Sequence, residues 1–200
     1  MIYLIRHTKP LVDKGICYGQ TDLDVADTFL GEAEIIKKVL PPTIETVYSS
    51  PLQRCAKLAT TLFPTHNIIH QPTLMELNCG NWEMQYYDHI PKHEIDPWMA
   101  DYVNYTIPNG ESYTTLYNRI IKAFENIATQ HKEPIAIVAH GGVLRSILSY
   151  ITNTPLVNSF DAFKIHYGAV INLQKHNNSY TYQVLSNIET TTEQHQPSNY

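Results

Sequence analysis

Two histidines, each at the end of an apolar run rich in β-branched residues, are the first candidates for chemistry in this chain. His7 follows the run Ile2–Ile5 and Arg6, and His140 follows the run Ile135–Ala139. Continuous apolar runs of this length are typical of parallel strands that are buried on both faces. Ligands bind outside the carboxyl ends of such strands, so both imidazoles are predicted to lie at one rim of a sheet.

The residues around these histidines predict a phosphate site. Arg6 precedes His7, and a helix predicted to begin after His140 brings its N-terminal amides to the same rim. Arginine side chains and helix N-termini both bind phosphate oxygens. Arg54 follows another predicted strand, and its guanidinium suits a bidentate contact with phosphate. Gly141 lets the backbone approach closely beside the His140 imidazole.

His7 has the features of a nucleophile toward phosphorus, with Glu76 as its proton partner. Imidazole attacks through an unprotonated nitrogen, so the other ring nitrogen must hold its proton in a fixed hydrogen bond. Glu76 lies between apolar residues that could keep its carboxyl group protonated, ready to protonate a leaving oxygen and later to accept a proton from water. Taken singly, each candidate is more often a structural turn, an ion pair or a solvated carboxylate. Their arrival together at predicted strand ends favours an active site.

The elements that must position these residues alternate between strand-like and helix-like segments. This pattern predicts an α/β fold, a three-layer α/β/α sandwich with a mostly parallel central sheet. Four helices are predicted. The first covers Val25–Leu40, and the second follows an N-cap at Ser50 with Pro51 as its first helical residue. The third runs from an N-cap at Ser112 to about Gln130, and the fourth covers Gly142–Ile151. Further strands are predicted over residues 45–48, 67–70, 169–173 and 180–185, the last two forming an antiparallel pair that turns at residues 177–179.

Residues 77–111 differ in composition from the rest and are predicted to form an excursion that caps the site. The segment is rich in aromatic residues and has weak periodicity, so its rings could stack on a flat substrate or pack the cap itself. One domain is predicted over residues 1–187, followed by a polar tail over residues 188–200 that is expected to fray.

The composition limits the classes of partner. The net charge of −5 argues against nucleic acid or an anionic membrane as the main partner, and no run reaches transmembrane length. The chain starts on a strand without a signal-peptide pattern, and its three cysteines are an odd number without paired metal spacing, so a reducing cytoplasm is expected. No metal or other cofactor is predicted, and the oligomeric state is left open.

Together these segments resemble the histidine phosphatase superfamily, which has the phosphoglycerate-mutase-like fold. The matching segments are Leu4–Thr8, Tyr48–Arg54, Leu74–Glu83, Pro108–Ser112 and Val138–Arg145. The resemblance implies that His7 becomes phosphorylated, that Glu76 is the proton donor, and that Arg6, Arg54 and His140 hold the phosphate. Thr8 and Met84 stand where relatives usually have glycine, and an asparagine usual after the catalytic histidine has no clear counterpart.

Within that superfamily, the segment Gly15–Asp22 is most similar to the alpha-ribazole phosphatase branch. The resemblance adds Gly19 and Gln20 to the expected phosphate-binding residues. It implies a small-molecule phosphomonoester as substrate, alpha-ribazole 5′-phosphate in the assembly of the nucleotide loop of cobalamin. The alternatives are a general small-molecule phosphatase, a phosphoglycerate mutase-type enzyme, and, from a different class, a pseudoenzyme that only binds a phospholigand.

Overall fold

The two apolar runs form neighbouring parallel strands, as the sequence predicts. The computed structural model describes residues 1–131, 134–177, 179–188 and 196–198. Strands β1 (Ile2–Arg6) and β4 (Ile135–Ala139) are buried along their whole length. Their register pairs Arg6 with Ala139, so the next residue of each strand, a histidine, lies at the same rim of the sheet.

The central sheet is mostly parallel. The remaining strands in the described ranges are β2 (Thr46–Ser49), β3 (Ile68–His70), β5 (Val170–His176) and β6 (Ser179–Ser186). The strand order is β3-β2-β4-β1-β5-β6, in which the first four strands are parallel and β5 and β6 pair antiparallel. The predicted antiparallel pair is therefore confirmed; Asn178 of its predicted turn lies outside the described residues.

Helices cover both faces of the sheet and complete three layers. Within the described ranges they are α1 (Phe29–Val39), α2 (Gln53–Leu62), α3 (Lys92–Ala100), α4 (Tyr113–Gln130), α5 (Gly141–Thr152) and α6 (Ser159–Ala162). Alternate residues of β1 enter different cores: Leu4 packs with α4 and α5 residues, and Ile5 packs with α1 and α2 residues. This arrangement explains why the strands have no polar face, and the predicted fold class is confirmed.

The first helix is shorter than predicted. It begins at Phe29 instead of Val25, because the preceding residues pair with the loop after β1. Val25 forms an antiparallel bridge with Pro10, and the Ala26 amide donates to the Lys9 carbonyl at 3.0 Å. The apolar residues that suggested an earlier helical turn thus fix the loop that carries the site residues.

The predicted N-cap of the second helix is wrong. Helix α2 begins at Gln53, and its amide donates to a carboxylate oxygen of Asp22 at 2.6 Å. Ser50 instead continues the rim of β2, where its amide donates to the Val138 carbonyl at 3.0 Å. The cap of α4 is confirmed, since the Ser112 hydroxyl accepts from the Thr115 amide at 3.1 Å.

The chain after β6 is described only in part. Residues 189–195 and 199–200 of the tail predicted to fray lie outside the described residues. Ser198 lies within them, and its amide donates to the Asp88 carboxylate at 2.7 Å. Across the described ranges, no helix combines the length and the apolar character that a membrane crossing requires.

Candidate active site

His7 is held with one ring nitrogen ready to react. Its amide donates to the Ala139 carbonyl at 3.0 Å, which continues the β1–β4 ladder by one residue. Its Nδ1 lies 2.7 Å from the Thr8 carbonyl oxygen. A carbonyl can only accept, so Nδ1 carries the proton of the neutral ring and Nε2 keeps its lone pair. The fixed tautomer that a nucleophilic imidazole needs is therefore present.

His140 lies beside His7 and contacts Ser50, which follows the end of strand β2. The two ring centroids are 5.1 Å apart, and His140 is fully buried at the N-cap of α5. Its Nε2 lies 2.8 Å from the Ser50 hydroxyl. The Ser50 hydroxyl thus contacts this imidazole and accepts from the Leu52 amide at 3.4 Å, one residue before α2, so Ser50 lies two residues before the N-cap position.

His140 contributes a hydrogen-bonding group without a charge. Burial lowers the pKa of His140 well below its usual value, and the positive fields of Arg54, His7 and Arg6 lower it further. The ring is therefore neutral near pH 7, and the positive charge of the site comes from its arginines.

The lowered pKa of His140 predicts a pH dependence of stability. Below about pH 6.5 the unfolded chain protonates His140 while the native ring stays neutral, so this part of the stability is present above that pH and is lost as the pH falls. His140→Gln is expected to make the free energy of unfolding fall less steeply than that of the wild type between pH 6.5 and 5, by on the order of 1 kcal/mol per pH unit.

Urea unfolding of the wild type and His140→Gln at pH 7 and pH 5 measures this slope. The matched control is His93→Gln, because the His93 side chain is 80% exposed and should leave the slope as it is. Parallel losses of stability in the wild type and in His140→Gln would contradict the prediction.

Two arginines flank the histidines from different elements. Arg6 ends β1, and its Nη1 donates to the Ile165 carbonyl at 2.7 Å. Arg54 lies in the first turn of α2 and is fully buried, with donors to the Thr21 carbonyl at 2.9 Å and the Gly19 carbonyl at 2.6 Å. Their anchored guanidiniums supply positive charge in fixed positions, which is what binding of a phosphate dianion requires.

The loop before α1 is organised by Glu83, a residue that the sequence analysis did not single out. Its carboxylate accepts from the amides of Gly19 at 3.0 Å and Gln20 at 2.8 Å. Burial raises the pKa of Glu83, but these bonds and those from Thr21 and Cys79 outweigh it, and the net shift is downward. Glu83 therefore stays ionised and holds the two carbonyls that position Arg54.

Gly19 and Gln20 occupy a different place from the one expected. Both of their amides bind Glu83, and neither residue is among the described residues that line the pocket in front of His7. A side chain at position 19 would meet the Leu77 carbonyl oxygen at 1.7 Å, so only glycine fits there. Gly19 thus acts through Arg54, whose guanidinium its carbonyl anchors.

Glu76 faces the same pocket as His7. Its two carboxylate oxygens accept from the Leu77 amide at 3.0 Å and the Gly142 amide at 2.9 Å. A side chain at position 142 would come within 2.4 Å of the carboxylate, so this glycine permits the approach. Fixed backbone donors hold the carboxyl group, in contrast to the apolar surroundings that its sequence neighbours suggested.

Arg119 of α4 positions the Glu76 segment and is a second residue that the sequence did not reveal. Its guanidinium donates to the carbonyls of Met75 at 2.7 Å and Glu76 at 2.8 Å. An ion pair of 2.6 Å with Glu111 holds the guanidinium in turn. The segment therefore has little freedom to turn the carboxyl group away from His7.

The pocket in front of these residues has a volume of about 390 Å³. Its lining includes Arg6, His7, Glu76 and Gly141, together with six aromatic residues: Tyr18, Tyr87, Trp98, Tyr102, Tyr113 and Phe160. Trp82 and Tyr105, also of the excursion, stack on each other and belong to the same apolar cluster as Tyr87 and Trp98. The excursion thus both packs itself and walls the pocket.

The site can bind and transfer a phosphoryl group with the residues present. The His7 imidazole, the Arg6 guanidinium and the Glu76 carboxyl group line the pocket. Arg54 and the neutral His140 imidazole are fully buried and are not among the described residues that line it. In the part of the chain that the structure describes, no group of three or more His, Cys, Asp or Glu residues is arranged to hold a metal ion.

Comparison with known proteins defines the class. The family model of the histidine phosphatase superfamily (branch 1) matches residues 2–188, and the chain belongs to this family of phosphatases. It is 32% identical over 162 residues to a metal-independent phosphoserine phosphatase of Arabidopsis thaliana, covering 76% of this chain and 68% of that protein. It is 23% identical to the adenosylcobalamin/alpha-ribazole phosphatase of Escherichia coli K12, covering 77% of this chain and 80% of that protein.

Solved structures confirm the fold. The crystal structure of the alpha-ribazole phosphatase from Shigella flexneri superposes with a TM-score of 0.84 at 22% sequence identity. The match covers 96% of this chain and 99% of that one. The phosphoglycerate-mutase-like architecture therefore extends over the whole described chain, including the aromatic excursion.

Proposed function

We propose that the protein is a metal-independent phosphomonoesterase that works through a phosphohistidine on His7. The observation that carries the proposal is the 2.7 Å bond from His7 Nδ1–H to the Thr8 carbonyl, which leaves Nε2 as a nucleophile at the inner end of the pocket. Nε2 attacks phosphorus in line as the ester P–O bond breaks, and the phosphoryl oxygens lie between Arg6 and Arg54. Preorganised charge of this kind supplies most of the catalysis in phosphoryl transfer.

Glu76 moves the proton in both steps. In the first step it gives a proton to the leaving alkoxide, and in the second it takes one from the water that attacks the phosphohistidine. The products are the alcohol, orthophosphate and free His7, so atoms and charge balance without a further reactant. The two guanidiniums provide the charge that a metal ion supplies in other phosphatases.

For the substrate we propose alpha-ribazole 5′-phosphate or a closely similar ester whose leaving alcohol carries a flat aromatic ring. A pocket of about 390 Å³ lies in the range of sites that take drug-sized ligands, larger than an amino-acid phosphate requires. Rings of Trp98 and Tyr87 line it and offer faces for stacking a benzimidazole. The similarity to alpha-ribazole phosphatases supports the same assignment.

Phosphoserine is the second candidate substrate. Arg145 and Asp161 both line the pocket beyond the catalytic residues, and their opposite charges would suit the carboxylate and ammonium of an amino acid. The Arg145 guanidinium is set by a stack on Phe160 at 4.4 Å. The Arabidopsis relative, a phosphoserine phosphatase, supports this candidate.

A phosphate-release panel in the presence of chelator tests the proposal. It contains alpha-ribazole 5′-phosphate, phosphoserine, 3-phosphoglycerate and p-nitrophenyl phosphate, with His7→Ala as the control for contaminating phosphatase. We expect kcat/KM for the ribazole ester to exceed that for phosphoserine by about tenfold or more, because only the larger leaving group fills the aromatic pocket.

The other results discriminate between the alternatives. A preference for phosphoserine would select the second candidate, and similar values throughout would indicate a general phosphatase. Formation of 2-phosphoglycerate from 3-phosphoglycerate would identify a mutase. Absence of release from every ester would refute the phosphomonoesterase and indicate a protein that only binds phospholigands.

A further inference from the structure

Two tyrosines beside the catalytic residues have no part in the mechanism described above. Tyr18 belongs to the loop after β1, and Tyr167 lies just before β5. Their hydroxyl oxygens are 2.7 Å apart, a short hydrogen bond between residues separated by 149 positions in the chain. Tyr18 is among the residues that line the pocket, so its side chain borders the space that a bound ester would occupy.

The tyrosine pair lies against three of the groups that would handle phosphate. The Arg6 Cζ atom lies 4.2 Å from the centre of the Tyr167 ring, and the Arg54 Cζ atom lies 5.5 Å from that of Tyr18. The His7 ring is 5.6 Å from the ring of Tyr167. The pair therefore lies between the two guanidiniums and next to the proposed nucleophile.

The number of hydroxyl protons shows whether the tyrosine pair can donate a hydrogen bond to a ligand. Two hydroxyls carry two protons, and the bond between them uses one. When Tyr167 is the donor, the Tyr18 hydroxyl keeps its own proton for a third acceptor. Burial, followed by the neighbouring Tyr167, holds the pKa of Tyr18 well above its usual value, so this hydroxyl remains a neutral donor throughout the working pH range.

From this geometry we infer that Tyr18 is a phosphoryl-binding residue whose hydroxyl donates to an oxygen of the transferring phosphoryl group. Tyr167 is its positioning residue, which orients the Tyr18 hydroxyl through the 2.7 Å bond. A neutral donor stabilises the charge that develops on these oxygens without adding a third cation beside Arg6 and Arg54. This inference rests on the proposed phosphatase function.

Tyr18→Phe tests the inference, because it removes the hydroxyl and keeps the ring against Arg54. We expect kcat/KM for p-nitrophenyl phosphate to fall on the order of 100-fold, as for the loss of one preorganised donor. The inhibition constant of orthovanadate, which imitates the five-coordinate transition state, should rise by a similar factor, and that of orthophosphate by much less. Tyr167→Phe should give a smaller loss of the same kind.

Tyr182→Phe is the matched control, since Tyr182 is 40% exposed on β6. It should change neither kcat/KM nor either inhibition constant. Equal rises of the vanadate and phosphate constants in Tyr18→Phe, together with a lower melting temperature, would mean a purely structural tyrosine and would overturn the inference.

The failure of this inference and that of the proposed function can be told apart. If the wild type forms phosphohistidine and Tyr18→Phe is as active as the wild type, the inference falls and the function stands. If the wild type hydrolyses no ester, the function falls, and orthovanadate binding by calorimetry still tests Tyr18. An unchanged dissociation constant for orthovanadate in Tyr18→Phe would then refute its contact with the phosphoryl oxygens, and a weakened one would support it.

Discussion

His7→Ala is expected to lower kcat for p-nitrophenyl phosphate on the order of 10⁵- to 10⁶-fold, the scale seen when a hydrolase loses its nucleophile. The reason is geometric: of the two imidazoles at the rim, His7 has its Nδ1 proton bound by a carbonyl, at 2.7 Å, and its ring on the pocket. His140 is fully buried behind it against Ser50 and does not replace it. The arginines remain in the variant, so orthophosphate should still bind.

Two measurements accompany this rate. Rapid quenching of the wild type during turnover should trap a phosphoenzyme that is labile to acid and stable to base, and His7→Ala should yield none. The matched control is His93→Ala, whose side chain is exposed and lies outside the pocket lining. Substantial hydrolysis by His7→Ala would show direct attack of water on the ester and would contradict the phosphohistidine route.

The strands that carry the two histidines could be predicted because their pattern leaves no choice. Runs without a polar position must be covered on both faces, and parallel strands bring their carboxyl ends to one rim. The structure pairs Arg6 with Ala139 accordingly, and His7 and His140 meet at 5.1 Å. The local sequence therefore predicted which residues lie at the strand ends, and the alternation of strands and helices predicted that these ends share one rim.

Ser50 shows why local signals fail near a functional site. A serine followed by proline before an apolar helical pattern is a good N-cap by every local criterion. In the folded chain its hydroxyl lies 2.8 Å from His140 Nε2, a residue 90 positions away, and Asp22 supplies the helix cap. The same side chain suited both roles, and only tertiary structure selects between them.

The supporting residues have no local signature at all. Glu83 binds amides 63 and 64 positions before it in the chain, and Arg119 binds carbonyls 43 and 44 positions before it. Glutamate and arginine are common surface residues, and nothing in the neighbouring sequence shows that these two bind the backbone of distant loops. Sequence patterns therefore found groups that could react, and the structure was needed to find the residues that hold them in place.

Glu76→Gln is expected to lower kcat/KM for alkyl phosphates by about 10²- to 10⁴-fold, the usual contribution of a general acid. The amide retains the size of the side chain and can still accept from the Leu77 or Gly142 amide, but it cannot deliver a proton. An alkoxide needs that proton in order to leave, whereas p-nitrophenolate leaves without it. The loss of kcat/KM for p-nitrophenyl phosphate should therefore be much smaller.

The second step makes the Glu76 prediction sharper. With p-nitrophenyl phosphate, Glu76→Gln should form the phosphohistidine at a nearly normal rate and hydrolyse it slowly, because no base activates the water. We expect a burst of p-nitrophenol release equal to the enzyme concentration, followed by slow steady-state release. The phosphoenzyme should accumulate during the slow phase. Glu34→Gln, which changes an exposed carboxylate of α1, should show neither effect. Equal losses for alkyl and p-nitrophenyl esters without a burst would assign the proton to another group. Loss of a general acid slows the poor leaving group selectively, and loss of the base lets the phosphohistidine accumulate.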